Sequence, residues 1–140
     1  MREIKFRGKC PNGEWIYGYY YQKQNPHSED GLPIKHYISD LPPFGAEVDP
    51  ATVGQFTGLK DKNGREIWEG DIVKYGNTIH KVVFEQRNNT AYFGLVYSPA
   101  ETLPFGHYQD LRQIEVIGDI HDNPELIEGK GGIAWAMPAE

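Results

Sequence analysis

The sequence predicts a mainly β protein. An N-terminal β-hairpin and loop extension occupies residues 1–50, an SH3-like β-barrel with a short C-terminal helix occupies 51–128, and 129–140 is a flexible tail. Three observations predict this. First, the 140 residues include 16 Gly and 10 Pro, nearly one residue in five where about one in eight is usual. Both residues destabilise helices, so long helices have nowhere to form. Second, the stretches between these breaks alternate apolar and polar side chains, the period of a strand. Third, turn-forming pairs such as Asn12-Gly13, Asn63-Gly64 and Gly76-Asn77 fall between those stretches.

Taken in order, Ile4 and Phe6 alternate with Lys5, Arg7 and Lys9, the pattern of a half-buried strand. Pro11-Asn12-Gly13 turns the chain, and Trp15 to Tyr21 returns. On that return strand Trp15, Tyr17, Tyr19 and Tyr21 share one face, while Ile16, Gly18 and Tyr20 share the other. Large rings on both faces predict a strand covered on both sides. Residues 22–33 read as a polar loop, Ile34 to Ile38 as a short strand, and Leu41-Pro42-Pro43-Phe44-Gly45 as irregular. Thr52 to Phe56 is a further strand. Arg65 to Glu69 reads either as a strand end or as one helical turn. Gly70-Asp71 leads into a strand to Tyr75, and Thr78–Glu85 and Ala91–Tyr97 complete a three-strand meander. Residues 98–113 read as loop with at most a short helix near His107 to Arg112, and Ile114 to Ile120 as the last strand. Asn123 and Pro124 have the identities of an N-cap and a first helical residue. A meander opened by Gly-Asp and followed by one more strand is the SH3-like pattern, over about Val53 to Ile120.

Composition narrows the function classes. The single cysteine, Cys10, excludes an intrachain disulfide and a CxxC metal site. The alternating N-terminus lacks a signal-peptide core, and no apolar run is long enough to span a bilayer, so a soluble cytoplasmic protein with no membrane partner is expected. Net charge is −6, and Pro99 to Glu128 holds seven acids against Arg112 alone. An acidic chain is a poor non-specific nucleic-acid binder. The basic strand Lys5, Arg7, Lys9 remains a local exception.

Catalytic motifs are lacking. There is no Gly-x-Ser-x-Gly, and Gly58 to Gly64 is followed by Arg65 and Glu66 where a phosphate loop needs Lys and Ser or Thr. The five histidines are scattered singly. Asp119 and His121 would share a strand face and offer two metal donors. The simpler reading leaves Asp119 solvated and has His121 and Asp122 support the following turn. No catalytic residue, no cofactor and no metal ligand is therefore assigned. The candidate interaction surface is Lys5, Arg7, Lys9, Trp15, Tyr17, Tyr19, Tyr21 and Trp135. Exposed rings beside basic residues would stack the bases of a single strand. The preferred reading instead makes the rings core and the basic residues the wet side of the strand.

Three segments carry a family resemblance: Arg2-Glu3-Ile4-Lys5-Phe6-Arg7; Gln55-Phe56-Thr57-Gly58-Leu59-Lys60-Asp61-Lys62-Asn63-Gly64-Arg65-Glu66-Ile67-Trp68-Glu69-Gly70-Asp71-Ile72-Val73; and Glu115-Val116-Ile117-Gly118-Asp119-Ile120-His121-Asp122-Asn123-Pro124-Glu125-Leu126. Together, over about residues 1–128, they resemble the YopX family of phage and prophage proteins. The resemblance implies a mainly β fold with an SH3-like barrel, a bacterial-cytoplasm setting, and no assigned activity or catalytic residue. The resulting expectation is a non-enzymatic, self-associating protein-interaction module, most simply a homodimer that also meets a protein partner. The alternative is a nucleic-acid-binding accessory protein of phage development. The apolar tail Ile133 to Met137 and the aromatic strand supply the apolar surplus behind the expected dimer.

Overall fold

Antiparallel pairing organises the described residues, and hairpins turn at Asn12-Gly13 and Gly76-Asn77, where the sequence places turn residues. The computed structural model describes residues 3–24, 26–27, 29–31, 33–40, 45–87, 89–98, 101–105, 109–127 and 137–138. The chain divides into two compact units, Met1–Phe56 and Thr57–Glu140.

In the first unit, β1 (Phe6–Lys9) and β2 (Trp15–Gln24) form a hairpin with Arg7 opposite Tyr17 and Lys9 opposite Trp15. Its turn closes as Cys10 N–H donates to Glu14 O at 2.9 Å and Gly13 N–H donates to Cys10 O at 2.8 Å. Gly13 takes a φ of 87°, the left-handed conformation that glycine adopts without strain. Next come β3 (Ile34–Ser39), paired with β2, and the two-residue β4 (Ala46–Glu47). Asp49 caps a 3-10 turn, Pro50–Thr52, by accepting from Ala51 N–H. The start of β5 (Gly54–Lys60) then lies against β1, with Phe6 opposite Gln55. Ile38 and Val48 are buried here, and Gly8 lets them close: a Cβ on Gly8 would lie 3.1 Å from both.

In the second unit, the rest of β5 neighbours β6 (Glu66–Trp68), and Thr57 Oγ1 donates to Ile67 O at 2.7 Å. The strands β7 (Asp71–Tyr75), β8 (Thr78–Arg87), β9 (Thr90–Ser98) and β10 (Glu101–Pro104) form a meander. β11 (Ile114–Asp119) returns to pair with β7, and β12 (Met137–Pro138) pairs with β8. The core is aliphatic: Ile67, Val73, Val82, Leu95, Ile114 and Val116. Trp68 and Ile72 are buried as well. Asp61 pins the β5–β6 turn to β11. Its Oδ1 accepts from Asn63 N–H and Arg65 N–H, each at 2.9 Å, and its Oδ2 accepts from Val116 N–H at 2.9 Å.

Mainly β architecture is what the sequence predicts, and several details differ. The second sheet follows the path β10-β9-β8-β7-β11, which is open rather than a closed barrel among the described residues. The expected C-terminal helix is a single 3-10 turn, Pro124–Leu126. Asn123 does not cap it, because its Oδ1 accepts from Asp119 N–H at 3.2 Å instead. Of Arg65 to Glu69, Glu66–Trp68 is strand, as β6, and Glu69 lies in the turn that follows. Within the expected loop 98–113, Glu101–Pro104 pairs with β9, accommodated by an irregularity between Glu101 and Thr102. The helix expected near His107 to Arg112 is a 3-10 turn at Leu111–Gln113, which Asp110 caps from Arg112 N–H. His107 itself, Leu41 to Phe44, and most of the 129–140 tail including Trp135 lie outside the described residues.

Candidate functional site

Strand alternation, carried across three paired strands, decides which side chains meet. Residues directly opposite in an antiparallel pair share a face. Trp15, Tyr17, Tyr19 and Tyr21 of β2 therefore share one face with Arg7 and Lys9 of β1, and with Tyr37 and Lys35 of β3. The sequence-predicted set other than Trp135 is brought together on this face; Trp135 lies outside the described residues.

Cations lie over the rings along it. Arg7 Cζ sits 4.5 Å from the Trp15 ring centre, and Lys9 Nζ sits 5.5 Å from it. Lys5 Nζ is 5.0 Å from the Phe56 ring, and Lys23 Nζ is 5.4 Å from Tyr37. Tyr21 and Tyr37 stack with centroids 5.4 Å apart. Such cation–ring pairs contribute about 0.5–1 kcal/mol each where exposed. Arg7 is buried at 7 % exposure, so its charge backs the Trp15 ring.

Two rings behave differently from the rest. Tyr17 is 52 % exposed and Tyr19 is 60 % exposed. This corrects the expectation of a strand covered on both sides and of core rings at Tyr17 and Tyr19, whereas Trp15, Tyr20 and Tyr21 are half-buried. The opposite face of the same sheet is occupied: Phe6 and Tyr20 pack with centroids 5.8 Å apart, and Tyr20 shares a 2.6 Å hydrogen bond with His36 Nδ1. Gln22 Nε2 also donates to the Tyr20 hydroxyl. Tyr20 is thus satisfied inside the sheet, while Tyr17 and Tyr19 present their rings to solvent.

Charge on the face is positive but partly paired at its edges. Lys5 meets Glu3 at 3.4 Å. Lys35 meets Asp30 and, at 3.9 Å, Glu47. The hydrogen bond to Asp30 holds the Lys35 ammonium above its ordinary pKa. A shallow hollow of about 820 Å³ lies beyond Tyr37, lined by Lys23, His27, Glu29, Asp30 and Lys35. Its acids offset its lysines. What this face offers chemically is exposed ring surface beside lysines and an arginine.

Sequence reasoning missed Lys23, Lys35 and Tyr37, because the β2–β3 register cannot be read across the loop between them. The alternation Lys35, Tyr37 was itself a visible signal. Asp119, weighed as a metal donor, is buried and holds a turn: its Oδ1 accepts from His121 N–H at 2.9 Å and from Asp122 N–H at 2.8 Å. No helix among the described residues is long and apolar enough to cross a membrane.

The family model described as YopX protein matches residues 5–128. Among solved structures, the chain is similar to the crystal structure of protein EF1440 from Enterococcus faecalis. That similarity has a TM-score of 0.51 at 24% identity, and it covers 91% of this chain and 100% of the other. At this identity the likeness concerns the fold alone. No curated protein matches the chain.

Proposed function

The chain belongs to the YopX family, and from that premise we propose that it is a non-enzymatic, phage-type accessory protein acting in the bacterial cytoplasm as a binding and self-association module. The observation that carries this reading is that large rings stand exposed on paired strands. Tyr17 and Tyr19 do so in the first unit, and Phe84, at 41 % exposure, does so in the second. Exposed aromatic groups on a rigid sheet are the usual anchors of contact surfaces.

Each unit has a distinct part in the reading. The face of Trp15, Tyr17, Tyr19 and Tyr21 receives a partner. Self-association uses the β8–β9 hairpin, where Phe84 packs edge-on against Phe93 at 5.1 Å and remains open to solvent. For the second unit we propose an SH3-like relationship. The support is the strand order, in which the first strand of a meander also pairs with the last strand, preceded by a 3-10 turn.

Light scattering at micromolar concentration tests the assembly. The proposed dimer has twice the 15.9 kDa chain mass, and Phe84→Lys shifts it to monomer. A wild-type monomer overturns the self-association.

A further inference from the structure

We infer that the aromatic face of the first unit binds single-stranded nucleic acid, with bases stacked on Tyr17 and Tyr19 and phosphates met by Lys5, Lys9 and Lys23. The inference rests on reading this face as the partner-binding surface, and names the partner. Three observations carry it. Rings more than half exposed supply stacking planes on a strand held on both sides by β1 and β3. Base-on-ring stacking is tolerant of sequence because every base has a π face.

Charge complementarity is the second observation. Lys9 and Lys23 lie over the rings that flank the exposed pair, Trp15 on one side and Tyr37 on the other. Lys5 lies over Phe56 on the strand next to β1. Cations therefore run along both sides of the exposed rings; Lys5 exchanges Glu3, at 3.4 Å, for a phosphate, and Lys23 meets its phosphate at the rim of the hollow that Glu29 and Asp30 also line. The chain's net charge of −6 equals the balance of Pro99 to Glu128, and the other residues sum to zero.

Spacing is the third. Tyr17 and Tyr19 are two residues apart on one strand face, where the rise of a strand separates alternate backbone positions by about 6.7 Å. That is twice the step of about 3.4 Å per nucleotide in a stacked duplex. Successive bases can each take a ring only when they are unstacked, which selects a single strand over a duplex.

The test is fluorescence anisotropy of the full-length protein with a labelled oligothymidylate of about 12 nucleotides, within the range of such platforms. Binding is expected to be tighter than to a duplex of equal length. With three phosphate contacts at a slope of about −0.7 each, affinity is expected to fall roughly 15- to 20-fold between about 50 and 200 mM salt. Tyr17→Ala/Tyr19→Ala is expected to weaken binding at least about tenfold. Lys5→Gln/Lys9→Gln is expected to reduce the magnitude of the salt slope by about 1.4. No binding at about 50 mM salt, preference for duplex, equal displacement by polyglutamate, or affinity unchanged in the tyrosine variant would each overturn the inference. Light scattering on the same samples separates the two readings. A dimer that binds no oligonucleotide overturns the nucleic-acid assignment alone, and a monomer that binds it overturns the self-association alone.

Discussion

The two units use the same strand alternation to opposite ends. In the second unit, β6, β7, β8, β9 and β11 turn aliphatic side chains inward until Ile67, Val73, Leu95 and Ile114 have no exposed surface left. Polar groups caught in that interior are held by several partners. His80 is fully buried, with Thr78 Oγ1 2.7 Å from Nε2 and Val96 O 3.0 Å from Nδ1. In the first unit, β2 buries no residue, and two of its four same-face rings stand mostly in solvent. The difference teaches that ring size alone does not mark a core. Aliphatic side chains that interdigitate close a sheet face, whereas rings interleaved with lysines and arginine leave it partly open.

The largest expected effect lies at Trp68, which is 4 % exposed. Trp68→Ala is expected to destabilise the second unit by about 3–5 kcal/mol, read from urea unfolding. A loss below about 1 kcal/mol would remove the contrast between the units.

Asp61 comes next. Burial pushes its carboxyl pKa up, but N–H donation from Val116, Arg65 and Asn63 outweighs this and holds it below the ordinary value. Asp61→Ala leaves three backbone donors without that acceptor and is expected to destabilise by about 2–3 kcal/mol. In the wild type this contribution is present above the ordinary carboxyl pKa near 3.8. It fades as pH falls through the lower folded value. An Asp61→Ala protein that unfolds at the wild-type urea concentration would show that the turn holds without its carboxylate.

A smaller effect separates His80 from this. Burial lowers the His80 pKa, and the bond to Val96 O opposes the shift in part. The unfolded chain therefore takes up the proton first as pH falls. Stability is complete above about pH 6.5 and declines below it, at no more than about 1.4 kcal/mol per pH unit, until the folded imidazole is itself protonated. His80→Gln is expected to flatten the stability profile between about pH 6.5 and 5. An unchanged slope in that variant would assign the proton uptake to another group.

Much of this contrast is legible in the residues. The turns at Asn12-Gly13 and Asn63-Gly64 and the shared face of Trp15, Tyr17, Tyr19 and Tyr21 follow from period and turn chemistry, whereas the adjacent buried pairs Ile67-Trp68 and Ile72-Val73 do not alternate and are covered on both strand faces. Two kinds of feature are not legible. Short pairings such as β4 and β10 have too few residues to display a period, and they form because a neighbouring strand offers an edge. Exposure is the other. The sequence places aromatic rings on both faces of β2, but whether anything covers a face depends on partners distant in the chain. Asn123 illustrates the same limit: its identity suits a helix cap, yet a nearer donor, Asp119 N–H, captures it.

The central claim is that Tyr17 and Tyr19 serve recognition rather than folding. Urea unfolding of Tyr17→Ala/Tyr19→Ala tests it most directly. The account predicts a stability within about 0.5 kcal/mol per substitution of wild type, as for exposed positions. A loss of about 3 kcal/mol or more per ring, the size expected for buried aromatics, would contradict it.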